Sequence, residues 1–320
     1  MNVFGRKFIV SIFGESHGVK IGVVIDGVPA GIELSENDFL QDLLRRKSGK
    51  LGTTPRIEDD QPEIVSGIYR GFTTGAPLTI LFSNKNPRSE DYSQLSQTPR
   101  PGHADFAVKT KFNGFNDPRG GGHTSGRLTL CLVAAGVVAK KIISPVVIES
   151  EILSIGGVNP WDSVLADAVE KGDSLGGIVE CRIKGVKVGI GNPFFDSIES
   201  KISHLAFSIP AIKGIEFGSG FAAASMKGSE HNDSIIDCEG HTTTNNSGGI
   251  SGGISNGNPI VFRVAVKPTS SISINQKTIN LSTGSIDDLK IEGRHDSCIA
   301  LRVPVVLESI AAIAIADFLS

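Results

Sequence analysis

Apolar positions along the chain fall mainly into short β-branched runs separated by polar, glycine-rich turns. "FIVSI" (8–12), "IGVVIDGV" (21–28), "GIVECRI" (177–183) and "PIVFRVAV" (259–266) have the length and composition of strands. Three segments follow a helical pattern instead. "SENDFLQDLLRRK" (35–47) is amphipathic, with Ser35 or Asn37 placed to cap it. "SGRLTLCLVAAGVVAKKII" (125–143) and "VPVVLESIAAIAIADFL" (303–319) are apolar on nearly every side. A helix without a polar face needs cover all round, so these two are expected to lie enclosed between sheets. "GAPLTILFSN" (75–84) and "GNPIVFRVAV" (257–266) share a Gly-x-Pro entry into an apolar strand. Each is followed by a basic, glycine-rich turn and then one of the apolar helices, which suggests an internal duplication.

Composition narrows the class. With 320 residues, 39% hydrophobic and 20% charged, the chain can bury an ample core. No Pro/Ser-rich linker or charge block divides it, so a single domain over 1–320 is expected. A formal net charge of -3 gives no global attraction to nucleic acid or an anionic membrane, and neither is expected as a partner. An anionic ligand would have to be held by a local cluster of cations. The longest uncharged apolar stretches fall short of the roughly 20 residues that cross a bilayer. Four cysteines without CxxC spacing fit small buried hydrophobes in a reducing cytoplasm.

Five glycine-rich polar stretches carry the candidate chemistry: "GESHG" (14–18), "RPGHADFA" (100–107), "DPRGGGHTSGR" (117–127), "TTTNNSGGISGGISNG" (242–257) and "GRHDSC" (293–298). Each pairs backbone permissiveness with side chains that move protons or bind anions. "RGGGHTSGR" leads into a buried helix, where free backbone N–H groups favour an anion. "RRKSGK" (45–50) puts four cations at a helix end, as anion ligands or as a solvated face that complements the helix dipole. There is no Walker pattern and no dinucleotide fingerprint. Metal hydrolysis is disfavoured by the lack of HxH, HExxH or CxxC, and no metal is expected.

These five stretches, in this order and over nearly the whole chain, resemble the chorismate synthase family. The resemblance implies a fold of the α+β class, a β-α-β sandwich with helices enclosed between two antiparallel four-stranded sheets. It implies a lyase that converts 5-enolpyruvylshikimate 3-phosphate to chorismate and phosphate by 1,4-anti elimination, with reduced FMN (FMNH2) as cofactor. A homotetramer is implied as well. NADPH would be the direct or indirect reductant, and the absence of a Rossmann motif favours a separate flavin reductase.

By resemblance, Arg46, Arg127 and Arg294 would bind the substrate's carboxylates and phosphate, for which guanidinium forks are suited. His17 would protonate the departing phosphate with Ser16 beside it. His103 would stabilise the reduced ring, and Asp296, assisted by Ser125, would accept a flavin proton. The flavin would contact His123, Thr124, Ser125, Asn246, Ser247, Gly252, Lys267, Pro268, Thr269, Ser270, Ser271 and Arg294. The chain departs from the family pattern at "HTSGRLT", where His123 replaces a fixed cation and Leu128 an acid. "RRKSG" likewise stands for three arginines before Pro-Gly, and the arginine that normally follows has no clear match among Lys50, Leu51 and Arg56.

Overall fold

A computed structural model of the protein describes residues 2–55, 59–84, 97–291 and 295–319. Arg56 and Arg294 therefore lie outside the described residues. The chain opens with β1 (Val3–Phe4), β2 (Ile9–Gly14) and β3 (Lys20–Asp26). It continues through α1 (Asn37–Arg46), β4 (Glu63–Ser66), the small hairpin of β5 (Ile68–Tyr69) and β6 (Phe72–Thr73), and β7 (Leu78–Ser83). Next come α2 (Asp105–Lys111), α3 (Thr129–Ile142), β8 (Val147–Ile155), α4 (Asp162–Lys171), β9 (Gly177–Lys184), α5 (Ile198–Ala206) and β10 (Ile212–Phe217). The one-turn α6 (Gly228–His231), β11 (Ile250–Ser251), β12 (Ile254–Ser255), β13 (Ile260–Val266), β14 (Gln276–Ile279), β15 (Ile286–Leu289) and α7 (Val303–Leu319) complete it.

The architecture is α+β with several antiparallel sheets. One sheet has the order β1-β2-β3-β7-β4, the other β10-β13-β9-β8. The second has the expected four strands. The first has five, because the two-residue β1 pairs with β2 through Val3↔Ser11 and Phe4↔Val10. Alternation fixes which face is apolar. Ile21, Val23 and Ile25 stand opposite Phe82, Ile80 and Leu78, and all six are buried. In the second sheet Val179, Cys181 and Ile183 face Val264, Phe262 and Ile260 in the same way.

α3 contacts β2 and β3 of the first sheet, α7 contacts β8 and β9 of the second, and the two helices pack on each other. This explains their all-round apolar sequences: Thr129 to Ala139 and Val303 to Asp317 are buried except Pro304. Their crossing is close. A Cβ at Gly136 would lie 2.3 Å from Ser309 Cβ. The stretch Ile299–Leu319 has the length and hydropathy of a membrane span, but 78% of its 18-residue apolar window is buried inside the protein, so the core accounts for its composition. The two Gly-x-Pro strands, β7 and β13, sit in different sheets, and the next buried helices are α3 and α7 respectively.

Two buried carboxylates tie these layers together. Glu308 on α7 accepts hydrogen bonds from Arg45 on α1 (2.5 and 2.7 Å), Lys140 on α3 (3.0 Å) and Ser150 on β8 (2.7 Å). Asp317 accepts from the backbone N–H groups of Arg6, Lys7 and Phe8 and from Lys201. α1 begins without a side-chain cap. Ser35 instead donates through N–H and hydroxyl to Asp38 Oδ2, which replaces the expected cap by Ser35 or Asn37. Cys131, Cys181 and Cys298 are buried as expected, whereas Cys238 is exposed.

Candidate active site

The β2–β3 turn carries Ser16 and His17, both only 4% exposed. It is pinned from two sides. Ser16 N–H donates to Gly122 O at 3.1 Å, and the Asn84 side-chain amide at the end of β7 donates to Glu15 O (3.2 Å) and Gly18 O (2.8 Å). Asn84 Oδ1 in turn accepts from Arg127 Nε at 3.2 Å. The triple-glycine turn lies against two imidazoles. A Cβ at Gly120 would stand 2.3 Å from His17 Cε1, and one at Gly121 3.3 Å from His103 Cε1. Both glycines have positive φ, 58° and 84°, which side chains disfavour. The chemistry-bearing spacing of "RGGGH" thus has a steric cause.

His103 follows the turn before α2. Its Nδ1 lies 2.6 Å from Asp105 Oδ1 and 3.1 Å from Arg100 Nη2. Arg100 Nη2 has its own acceptor in Asp105 Oδ1 at 2.8 Å, so the 2.6 Å contact of the ring with that carboxylate, which can only accept, assigns Nδ1 as the donor. Burial pushes the Asp105 carboxyl up, but hydrogen bonds from Arg100 and His103 more than reverse this, and it stays ionised well below the usual carboxylate range. Arg100 also reaches Ser271 Oγ at 3.0 Å.

Two adjoining cavities open here. The larger, of about 780 Å³, is lined by Gly102, His103, His123, Thr124, Ser125, Lys267, Pro268, Thr269, Ser270 and Ser271, with an apolar floor that includes Leu132 and Ile313. The smaller, of about 210 Å³, is lined by Ser16, His17, Arg46, Arg127, Asp296 and Arg302, among others. Gly120, Ser125, Gly126, Thr129, Thr269 and Ile299 belong to both walls. Lys267 Nζ donates to Gly102 O (2.5 Å) and Ser270 Oγ (2.7 Å), and burial, then the nearby Lys213 charge, lower its pKa. His123 Nδ1 bonds Gly14 O at 2.7 Å, and its Nε2 lies 3.2 Å from Asn2 Oδ1. Ser125 Oγ accepts from Arg127 N–H at 3.3 Å where the chain turns into the helix.

The smaller cavity is cationic. Arg46, Lys47, Arg100, Arg127 and Arg302 line it against two carboxylates, Asp60 and Asp296. Arg46 is completely buried at the end of α1 and donates to Thr129 Oγ1 (3.3 Å) and Asp60 Oδ2 (3.1 Å). Burial and then the Arg302 charge pull its pKa down to about 10, against the pull of Asp60. Arg127 donates to the other oxygen of Asp60. Even so, Arg46 Nε, Arg127 Nη2 and Thr269 Oγ1 are buried and have no hydrogen-bond partner among the described residues. Buried donors of this kind are costly unless something fills the space. Asp296 accepts from Thr54 N–H (2.9 Å) and Arg302 Nη1 (3.2 Å).

Most of the residues singled out by sequence thus line one of two cavities that share a wall. Asn246, Ser247 and Gly252 line neither. Asn246 is engaged with Ser219 and His231, and Asp233 accepts from the N–H groups of Asn246 and Ser247. Arg100 and Asp105 lie in the "RPGHADFA" stretch, whose pattern alone gives them no role, and Arg302, Asp60 and Asn84 lie outside the five stretches. For Arg302 a signal was present: one arginine interrupting the apolar run that leads into α7.

The chorismate synthase family model matches residues 8–319. The chain belongs to the chorismate synthase family. Chorismate synthase from Chitinophaga pinensis is 60% identical over 320 residues, covering 100% of this chain and 96% of that one. The enzyme from Dehalococcoides mccartyi is 45% identical, with 99% and 96% covered. A crystal structure of chorismate synthase superimposes with a TM-score of 0.76 at 28% identity, over 99% of this chain and 92% of that one. The protein is accordingly a carbon-oxygen lyase of aromatic biosynthesis that forms chorismate from 5-enolpyruvylshikimate 3-phosphate with reduced flavin.

Proposed function

We propose that the small cationic cavity seats the enolpyruvyl phosphate ester and the larger cavity the reduced FMN, the two meeting across the shared wall. One observation carries this reading: His17, Asp296, Arg46 and Arg127 converge on one cavity while His103 and the Lys267–Ser271 hydroxyl segment line its neighbour. The residues suit a flavin mononucleotide. Lys267 with Ser270 and Ser271 offers an ammonium and hydroxyls to a phosphate tail, Thr269 has a hydroxyl without a partner among the described residues, and the volume is that of a ligand pocket.

The chemistry that reduced flavin would supply when held there is transient electron density for the breaking C–O bond, with no net redox change. The protein's own groups manage charge and protons. Arg46 and Arg127 hold the anionic groups with buried donors, among them Arg46 Nε and Arg127 Nη2. His17 delivers a proton to the departing phosphate oxygen. His103, with Nδ1 fixed by Asp105, holds or exchanges a proton at Nε2. Asp296 is the final acceptor for the proton lost from C6, with Ser125 on the shared wall between them.

The family's homotetramer, a cytoplasmic setting and helices enclosed between two sheets are part of this proposal. If Asn246, Ser247 and Gly252 touch flavin, a neighbouring copy must present them, because they line neither cavity of their own chain. NADPH acts through a separate flavin reductase. The test mixes purified protein with the ester and dithionite-reduced FMN and follows chorismate absorbance with and without EDTA. Chorismate formation indifferent to EDTA is expected, and none is expected from oxidised FMN plus NADPH alone. Chelator-sensitive phosphate release without flavin would overturn the reading.

A further inference from the structure

We propose that Asp60 is a placeholder anion: in the ligand-free enzyme it occupies guanidinium positions that an anionic ligand takes over. This rests on the reading of the small cavity as the seat of the phosphate ester. Asp60 is 4% exposed and bridges two of the cavity's arginines, with Oδ2 3.1 Å from Arg46 Nη2 and Oδ1 bonded to Arg127 Nη1. Its loop is tied to the end of α1 by Lys47 Nζ, 2.8 Å from Asp59 O.

Two neighbouring buried guanidinium groups repel one another and lose hydration, so the empty site needs a counter-anion. Asp60 supplies one negative charge and two oxygens. It leaves Arg46 Nε and Arg127 Nη2 without a partner among the described residues. A phosphate carries more charge and more acceptors, so it satisfies the donors that Asp60 cannot. Its approach is opposed by the Asp60 charge. Asp60 is therefore a positioning residue that trades anion affinity for order in the empty site.

A purely structural strut predicts the reverse, because loosened arginines would bind anions more weakly. Titration of Asp60→Asn with inorganic phosphate at low salt is expected to show affinity roughly tenfold above that of the unaltered protein. Its ligand-free Tm should fall by several degrees, and phosphate should restore more of it than in the unaltered protein. Equal or weaker phosphate binding overturns the proposal. If the variant does not fold, crystals of the unaltered protein with phosphate decide: Asp60 should part from at least one guanidinium, and both ion pairs persisting beside bound phosphate would sink the idea. Chorismate formation by the unaltered protein is measured alongside. Its absence rejects the reading of the cavity and this inference with it, whereas turnover without tighter phosphate binding in Asp60→Asn rejects the placeholder alone.

Discussion

At Gly120 an added methyl would meet His17 Cε1 at 2.3 Å and Ser16 Oγ at 3.0 Å on a backbone with φ 58°. Gly120→Ala is therefore expected to displace the imidazole and cut turnover by at least tenfold, while circular dichroism shows the fold retained. His17→Ala and His103→Ala should each lower kcat by roughly 10²- to 10⁴-fold with saturating reduced FMN. The two differ in a second readout. His103 lines the larger cavity and His17 only the smaller, so a flavin titration should weaken for His103→Ala and stay unchanged for His17→Ala. An equal loss of flavin affinity in both would contradict the division of the site. The histidines were legible in sequence because each stands beside glycines in a short turn. Asp60 and Asn84 were not, since each acts on Arg127, far along the chain, and no local pattern marks such a pairing.

Elements follow the same logic at larger spacing. α3 and α7 announced themselves as apolar on all sides, and the structure places them against each other and against the two main sheets. The fifth strand of the first sheet did not, because Val3–Phe4 is too short to carry any periodicity. The cap of α1 differs from the sequence expectation for a related reason: Ser35 donates to Asp38 rather than accepting from the helix, and residue type alone does not reveal that direction. What sequence also cannot show is how closely two helices approach. At Gly136 a Cβ would sit 2.6 Å from Ser309 Cα, a backbone atom that cannot swing aside. Gly136→Ala should force the helices apart and destabilise the protein by about 1–3 kcal/mol despite a gain in helix propensity. Urea unfolding checks this, and a midpoint equal to or above that of the unaltered protein would count against the close crossing.

For the whole molecule, a chain of net charge -3 sets Arg46, Lys47, Arg100, Arg127 and Arg302 around one cavity and ties its layers with buried carboxylates. That arrangement has a pH signature. The carboxyls of Asp60, Asp105, Glu308 and Asp317 are each pushed up by burial, yet charged and hydrogen-bonded partners bring all four below their ordinary values. In the unfolded chain such groups protonate near pH 4, about 3.9 for Asp and 4.3 for Glu. The unfolded state therefore binds more protons than the folded one once pH drops into that range. The stabilisation from these four groups is complete above about pH 5 and is lost as pH falls through the depressed folded values. Urea midpoints should thus hold between pH 7 and 5 as far as these groups are concerned, then fall steeply below about pH 4. Glu308→Gln removes one of the four, together with the charge that joins α1, α3, α7 and β8. It should lower the midpoint at pH 7 and flatten the acid limb, because less carboxylate stabilisation remains to be titrated. An acid limb as steep as that of the unaltered protein would mean that Glu308 has no part in the pH dependence of folding.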